Sequence, residues 1–415
     1  MIGAGSALTV GASQQASLLF EVDPHFPRSD SRESAFSVSP PAPPYQKKEP
    51  PTVLRLALVL ILLYLFLVGV ALLEAGIASM GRGFQDAFIA SVTNPISGLF
   101  AGILMTVLVQ SSSVSTATIV GMVGGGTLPV SLAIPMIMGA NIGTTVTNTL
   151  ASLGSIRRSE EFRRGFAAAT VHDFFNLMAV AILLPLEILT GFLGRTATWL
   201  TEILRGAEFD ATAPGTSPIR IAVRIPVDFV RGFFEPGILA GIVFLAIGLG
   251  LIFLALTFIT RNMRMLVANQ VQKVMNRFIG AGGGAFGILV GIAVTIAVQS
   301  SSITTSILVP LVAAGVLTLR SAYPITVGAN VGTTVTALIA SLAVLLPAGL
   351  TIALVHTLFN LVAMAIIFPI AKIRDIPIHL AERMSEAATK NRLLVLVYVA
   401  GLFLVIPLAA IFLIP

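Results

Sequence analysis

Two separated stretches of this chain carry the same motifs in the same order. VQSSSVSTATIV, from Val109, returns as VQSSSITTSILV from Val298, and GANIGTTVT, from Gly139, returns as GANVGTTVT from Gly328 by the same displacement. Between and around them Gly98, Gly102, Thr106, Gly126, Pro135 and Ser152 find identical partners at Gly287, Gly291, Thr295, Gly315, Pro324 and Ser341. A third block, VHDFFNLMA from Val171, returns as VHTLFNLVA from Val355 by a slightly shorter displacement. Three motifs repeated in one order mean two copies of one unit, and any fold has to be built from both.

The medium follows from composition. Of 415 residues, 56% are hydrophobic and only 11% charged, roughly half the charged fraction of a soluble domain. Apolar runs at 54–73, 87–109, 166–190, 237–259, 286–298, 350–371 and 393–413 are mostly long enough to cross a hydrocarbon core of about 30 Å. The lipid bilayer is therefore the first partner. The net charge of +6 is scattered between apolar segments and forms no basic stripe with interleaved aromatics, so no nucleic-acid partner is expected. With no cysteine, disulfides, thiolate metal sites and cysteine nucleophiles are excluded.

Each copy reads as a spanning helix, a helical hairpin with QSSS near its tip, a helix broken at GANxGTT, and another spanning helix. That makes three net crossings, and an odd number forces the second copy to enter from the opposite side. The expected fold is an all-α integral membrane protein of two inverted-topology repeats, each with a re-entrant helical hairpin and a broken helix. About seven spanning helices and two hairpins result. A cytoplasmic N-terminus places most of the 25 Lys and Arg residues inside, in 1–55, 155–164, 260–277, around Arg320 and in 372–392, as the positive-inside tendency requires. The organisation expected is a disordered cytoplasmic tail (1–52), a first transport repeat (53–190), an irregular extracellular linker (191–236), a second transport repeat (237–371), and a cytoplasmic connector with a peripheral terminal helix (372–415).

Gln110, Ser111, Ser112 and Ser113, with Gln299, Ser300, Ser301 and Ser302, place hydrogen-bonding groups in apolar sequence, where each unsatisfied one costs several kcal/mol. A chain turning at QSSS opens its next half-helix with free N–H groups and a partial positive charge of about half an elementary unit, a setting for an oxyanion. Neither motif contains Lys or Arg, so a bound anion needs mobile cations beside it, which is the physical basis of coupling. The GANxGTT blocks offer neutral oxygens from Asn141, Thr144 and Thr145, and from Asn330, Thr333 and Thr334. They suit a hard monovalent cation, or else close helix packing through small residues. Asp173 is the sole carboxylate between Phe162 and Glu187. Its place inside an apolar helix marks a cation site or an acid beside a polar cavity, and its counterpart is Thr357. Asn176 and Asn360 follow one turn later on the same face. His172 and His356 read as structural hydrogen-bonders or as proton relays.

An intramembrane hydrolase needs one nucleophile and one base together, whereas these serines and histidines come as symmetric pairs without a GxSxG elbow, so no enzyme is expected. The Gly124–Gly126 and Gly282–Gly284 runs lack the Lys-Ser/Thr of a nucleotide loop and read as turns. An anion channel would use the same helix ends without ion coupling.

The duplicated QSSS motifs, GANxGTT and VHDFFN resemble the type II sodium-dependent phosphate cotransporters, over about residues 85–372. The resemblance implies symport of inorganic phosphate with sodium at the plasma membrane, with a site shared by Gln110–Ser113 and Gln299–Ser302. Sodium would lie around Asn141, Thr144, Thr145, Asp173, Asn176, Asn330, Thr333, Thr334 and Asn360. No cofactor is implied beyond co-transported sodium. Asp173 takes the place of the acid that accompanies charge-moving transport in the family, so the resemblance implies electrogenic uptake. Where the family carries an acid before its FRR segment, this chain has Arg158, with Glu160 and Glu161 next to it. A symporter of another oxyanion is the competing reading.

Overall fold

The computed structural model describes residues 52–81, 83, 94–207, 218–281, 284–344 and 346–413, and they form helices throughout. Of the expected tail, 1–52, residues 1–51 lie outside the described residues and Thr52 opens the first helix. The first copy contains α1 (Thr52–Ser79), α2 (Pro95–Val109), α3 (Ser112–Gly124), α4 (Val130–Gly143), α5 (Val146–Ser152) and α6 (Ser159–Thr190). Two further helices follow, α7 (Phe192–Ala207) and α8 (Pro218–Arg231). The second copy contains α9 (Ile238–Ala281), α10 (Ala285–Val298), α11 (Ser301–Ala313), α12 (Leu319–Ser341) and α13 (Pro347–Ile367). Then come α14 (Ala371–Lys390), α15 (Leu393–Ala400), a π-turn at Gly401–Val405, and α16 (Ile406–Leu413).

Six segments among the described residues are long and apolar enough to cross a membrane: Thr52–Ser79, Val130–Ser155, Ser159–Thr190, Ile238–Leu266, Pro347–Ile367 and Leu393–Leu413. The all-α membrane class is therefore borne out. The seventh expected crossing, α12, spans 23 residues but is absent from that set because TVGANVGTTVT dilutes its apolar content.

Two expectations are corrected. The helix at GANxGTT is interrupted in the first copy alone, where Thr144 and Thr145 separate α4 from α5. In the second copy α12 runs through GANVGTT without a break. The repeated glycines serve contact and leave the backbone helical. A Cβ on Gly139 would lie 1.9 Å from the Leu99 carbonyl oxygen, and one on Gly328 2.0 Å from that of Ile288. A Cβ on Gly102 or Gly291 would likewise lie 2.0 or 2.1 Å from the Met136 or Ile325 oxygen. Thus α2 locks onto α4 and α10 onto α12 in one geometry used twice, the small-residue mode of helix association in lipid.

The second correction concerns 191–236, expected to be irregular. It is helical over Phe192–Ala207 and Pro218–Arg231. Glu187 explains the start of α7: its carboxylate accepts the Leu193 N–H at 2.6 Å and the Gly194 N–H at 3.2 Å, serving as a charged cap for an end that carries partial positive charge. The Thr201 and Thr351 hydroxyls, 3.0 Å apart, tie α7 to α13. Val223 and Val227 of α8 pack on Val68, Ala71, Leu72 and Ala75 of α1.

One apolar core joins the copies, with Ile103, Ile137, Val171 and Phe175 from the first and Val327, Ile352, Val355 and Phe359 from the second. The initial helices α1 and α9 approach closely, Gly69 against the Gly248 oxygen and Gly76 against that of Gly241, each 2.9 Å from where a Cβ would stand.

Candidate functional site

The QSSS motifs build two nearly identical turns. Gln110 (φ 55°, ψ 26°) ends α2 in the left-handed region, and Gln299 (φ 57°, ψ 28°) ends α10 the same way. They are the non-glycine residues with positive φ among those described. Ser111 and Ser300 follow in extended conformation as N-caps of α3 and α11. Their hydroxyl oxygens accept the N–H of Val114 and Ile303, each at 3.3 Å. A helix start leaves its first amides without intrahelical acceptors, so Ser112, Ser113, Ser301 and Ser302 open each helix with free N–H groups. Ser112, Ser113 and Ser301 are buried.

Each glutamine is braced alike. The Gln110 amide donates to the Val107 carbonyl at 2.5 Å while its oxygen accepts from Thr147 at 3.4 Å. Gln299 donates to Ile296 at 2.7 Å and accepts from Thr336 at 2.9 Å. Thr147 and Thr336 occupy equivalent places in the two copies, directly after the GANxGTT blocks, and were not singled out from the sequence.

The asparagines form a buried network across the copies. Asn330 donates to the Asn176 side-chain oxygen at 2.7 Å, and its own oxygen lies 2.6 Å from His172 Nε2. Asn176 donates to the Asn141 carbonyl at 2.8 Å, and Asn360 to the Asn141 side chain at 3.3 Å. His172 thus has the structural hydrogen bond that was one of its two readings. His356 is equally buried, and its Nδ1 has no partner in the structure. The four threonines bond carbonyls of their own helices: Thr144 to Ala140, Thr145 to Ile142, Thr333 to Ala329 and Thr334 to Val331, at 2.7–3.0 Å. A hydroxyl that donates its proton in this way still presents lone pairs.

Asp173, fully buried, accepts from Tyr398 at 2.6 Å and from Thr149 at 3.4 Å, both at Oδ2, and the Thr145 hydroxyl also lies against its carboxylate. Its Oδ1 has no hydrogen-bond partner. Tyr398 comes from α15, a helix with no counterpart in the duplication, and no sequence signal pointed to it. Asn148 was missed as well. Its side-chain oxygen accepts from Thr305 at 3.0 Å and Ser306 at 3.1 Å, joining α5 of the first copy to α11 of the second. Arg158 pairs with Glu161 at 2.9 Å, while Glu160 pairs with Arg163 at 3.1 Å, all at the exposed start of α6.

Among the described residues no cluster of three or more His, Asp or Glu is placed to hold a metal. These residues offer neutral oxygens and amides together with one buried carboxylate, a donor set of the kind small ions use and without the ligands of a tightly held transition metal. Such a polar seam between two copies of one helical unit, inside a polytopic membrane protein, defines a protein that handles small hydrophilic solutes within the bilayer. Comparison with known proteins makes the assignment specific: the Na+/Pi-cotransporter family matches over residues 65–202 and 251–381, and the chain belongs to that family. The sodium-dependent phosphate transport protein 2A of Ovis aries is 35% identical, over 86% of this chain and 67% of that protein. The 2A protein of Rattus norvegicus is also 35% identical, over 85% and 67%. The 2B protein of Homo sapiens is 31% identical, over 85% of this chain and 64% of its own length. No solved structure matches the chain.

Proposed function

We propose that this protein imports inorganic phosphate together with sodium, as an electrogenic symporter of the cell membrane whose two inverted repeats alternate access to a shared site. The carrying observation is the pair of QSSS turns, alike to within a few degrees in φ and ψ, each presenting a capped helix start. Two such starts supply amides and hydroxyls to one oxyanion without fixed cationic side chains. In this reading each turn is the tip of a re-entrant hairpin, and Gln110–Ser113 with Gln299–Ser302 hold the phosphate.

The charge left over is neutralised by sodium at Asn141, Thr144, Thr145, Asp173 and Asn176 in one copy and Asn330, Thr333, Thr334 and Asn360 in the other. The lone carboxylate, matched by Thr357, makes the two halves electrically unequal. A net positive charge moving inward draws about 2.3 kcal/mol from a 100 mV potential. The family membership and the names of the relatives support phosphate over another oxyanion. The N-terminus is cytoplasmic in this reading, with 53–190 and 237–371 as the transport repeats.

The test is uptake of labelled phosphate into proteoliposomes under a sodium or a potassium gradient, with and without an inside-negative potential. Sodium-dependent uptake that the potential accelerates is expected, and Asp173→Asn should remove the acceleration. Uptake indifferent to sodium would sink the reading, and competition by sulfate but not arsenate would move it to another oxyanion.

A further inference from the structure

The terminal helix lies outside the duplication and beyond the segments that match the family, which end at residue 381. One face of it, including Leu393, Leu396, Val397, Leu404, Val405 and Leu408, is exposed, as suits a helix facing lipid. Tyr398 alone of this helix makes a side-chain hydrogen bond among the described residues, and it makes it to the buried Asp173.

We propose that Tyr398 is a positioning residue of the Asp173 cation site, an assignment that rests on the sodium-coupled reading above. Three features carry it. The ring is held from several sides, with centroids of Phe166, Phe174 and Phe403 at 6.4, 6.3 and 6.3 Å, so the hydroxyl is aimed by packing. The helix departs from α geometry three residues after it, in the π-turn Gly401–Val405, an irregularity that recurs at functional sites. The hydroxyl donates to Oδ2 alone, at 2.6 Å, and Oδ1, fully buried, has no protein partner. A carboxylate fixed at one oxygen and free at the other is oriented to give its second oxygen to a cation. Removing the anchor leaves the carboxylate with the longer Thr149 bond and the neighbouring Thr145 hydroxyl, and lets its plane turn.

The experiment compares wild type with Tyr398→Phe, which keeps the ring and removes the hydroxyl. The sodium dependence of phosphate uptake is measured at saturating phosphate, and the phosphate dependence at saturating sodium. Loss of a hydrogen bond to a charged group predicts a rise of about tenfold in half-saturating sodium, with the phosphate KM unchanged. Sodium-induced thermal stabilisation of the purified protein reads the same shift without turnover. In an Asp173→Asn background, Tyr398→Phe should change neither curve, since the coupling runs through that carboxylate. A variant that loses only maximal rate, with the wild-type sodium curve, overturns the proposal. So does a protein too unstable to purify, which would show the hydroxyl to be a strut of the fold. Wild-type uptake without sodium dependence would instead overturn the functional reading on which the proposal stands.

Discussion

Gln110 and Gln299 combine a backbone strain with a side-chain role. A non-glycine residue in the left-handed region costs roughly 1–2 kcal/mol, and both glutamines accept it. In return their side-chain amides bond the preceding helix and a threonine of α5 or α12. The two contributions separate by substitution. Asn visits the left-handed region readily and Val does not, so Gln299→Val should be about 1–2 kcal/mol less stable than Gln299→Asn in thermal unfolding of the purified protein. Equal losses would mean that the bond to Thr336 is what the position supplies. The QSSS residues were legible in sequence because four consecutive polar residues, occurring twice in apolar surroundings, each need a hydrogen-bonding partner that lipid does not provide. Thr147 and Thr336 were not, since one threonine in a membrane helix ordinarily bonds its own backbone, as Thr144 and Thr333 do here.

At the scale of elements, the α2–α4 and α10–α12 pairs rest on glycines with no room for a methyl group. Gly139→Ala and Gly328→Ala, with a Cβ at 1.9 and 2.0 Å from a facing carbonyl oxygen, should each destabilise by at least about 1–3 kcal/mol through overpacking. Gly250→Ala, where a Cβ meets nothing within 4 Å, should be neutral to within about 0.5 kcal/mol. Thermal unfolding of the three variants in detergent checks this, and similar melting temperatures would refute the close approach. The same glycines explain why the second broken helix was misread. Paired glycines in a membrane helix mark either an unwound segment or a tight contact, and which of these holds depends on the facing helix, a relation absent from local sequence. The helices of 191–236 were obscured in a different way: α7 and α8 are amphipathic and carry charges, and a search for long apolar runs passes over them.

Across the whole molecule the two copies share an apolar core and also meet through polar contacts, Asn330 with His172 and Asn176, and Asn148 with Thr305 and Ser306. If the halves move against each other in transport, a link across one of these contacts should stop turnover. The chain has no cysteine, so Asn148→Cys with Thr305→Cys is a clean pair. Oxidation or a short crosslinker should halt uptake and reduction should restore it, whereas full activity in the linked protein would show that this contact stays intact through the cycle. The sequence by itself determined the medium, through its apolar runs. It also determined the twofold internal architecture and the QSSS, GANxGTT and VHDFFN blocks, because motif repetition and hydropathy are properties of the chain read in one dimension. Only the tertiary structure decided that α12 is unbroken, that Asn148 bridges the copies, and that Tyr398 of the unrepeated terminal helix reaches Asp173. Each of these depends on which residues, more than 150 positions apart in two cases or on a facing helix in the third, are brought within hydrogen-bonding or van der Waals distance by packing.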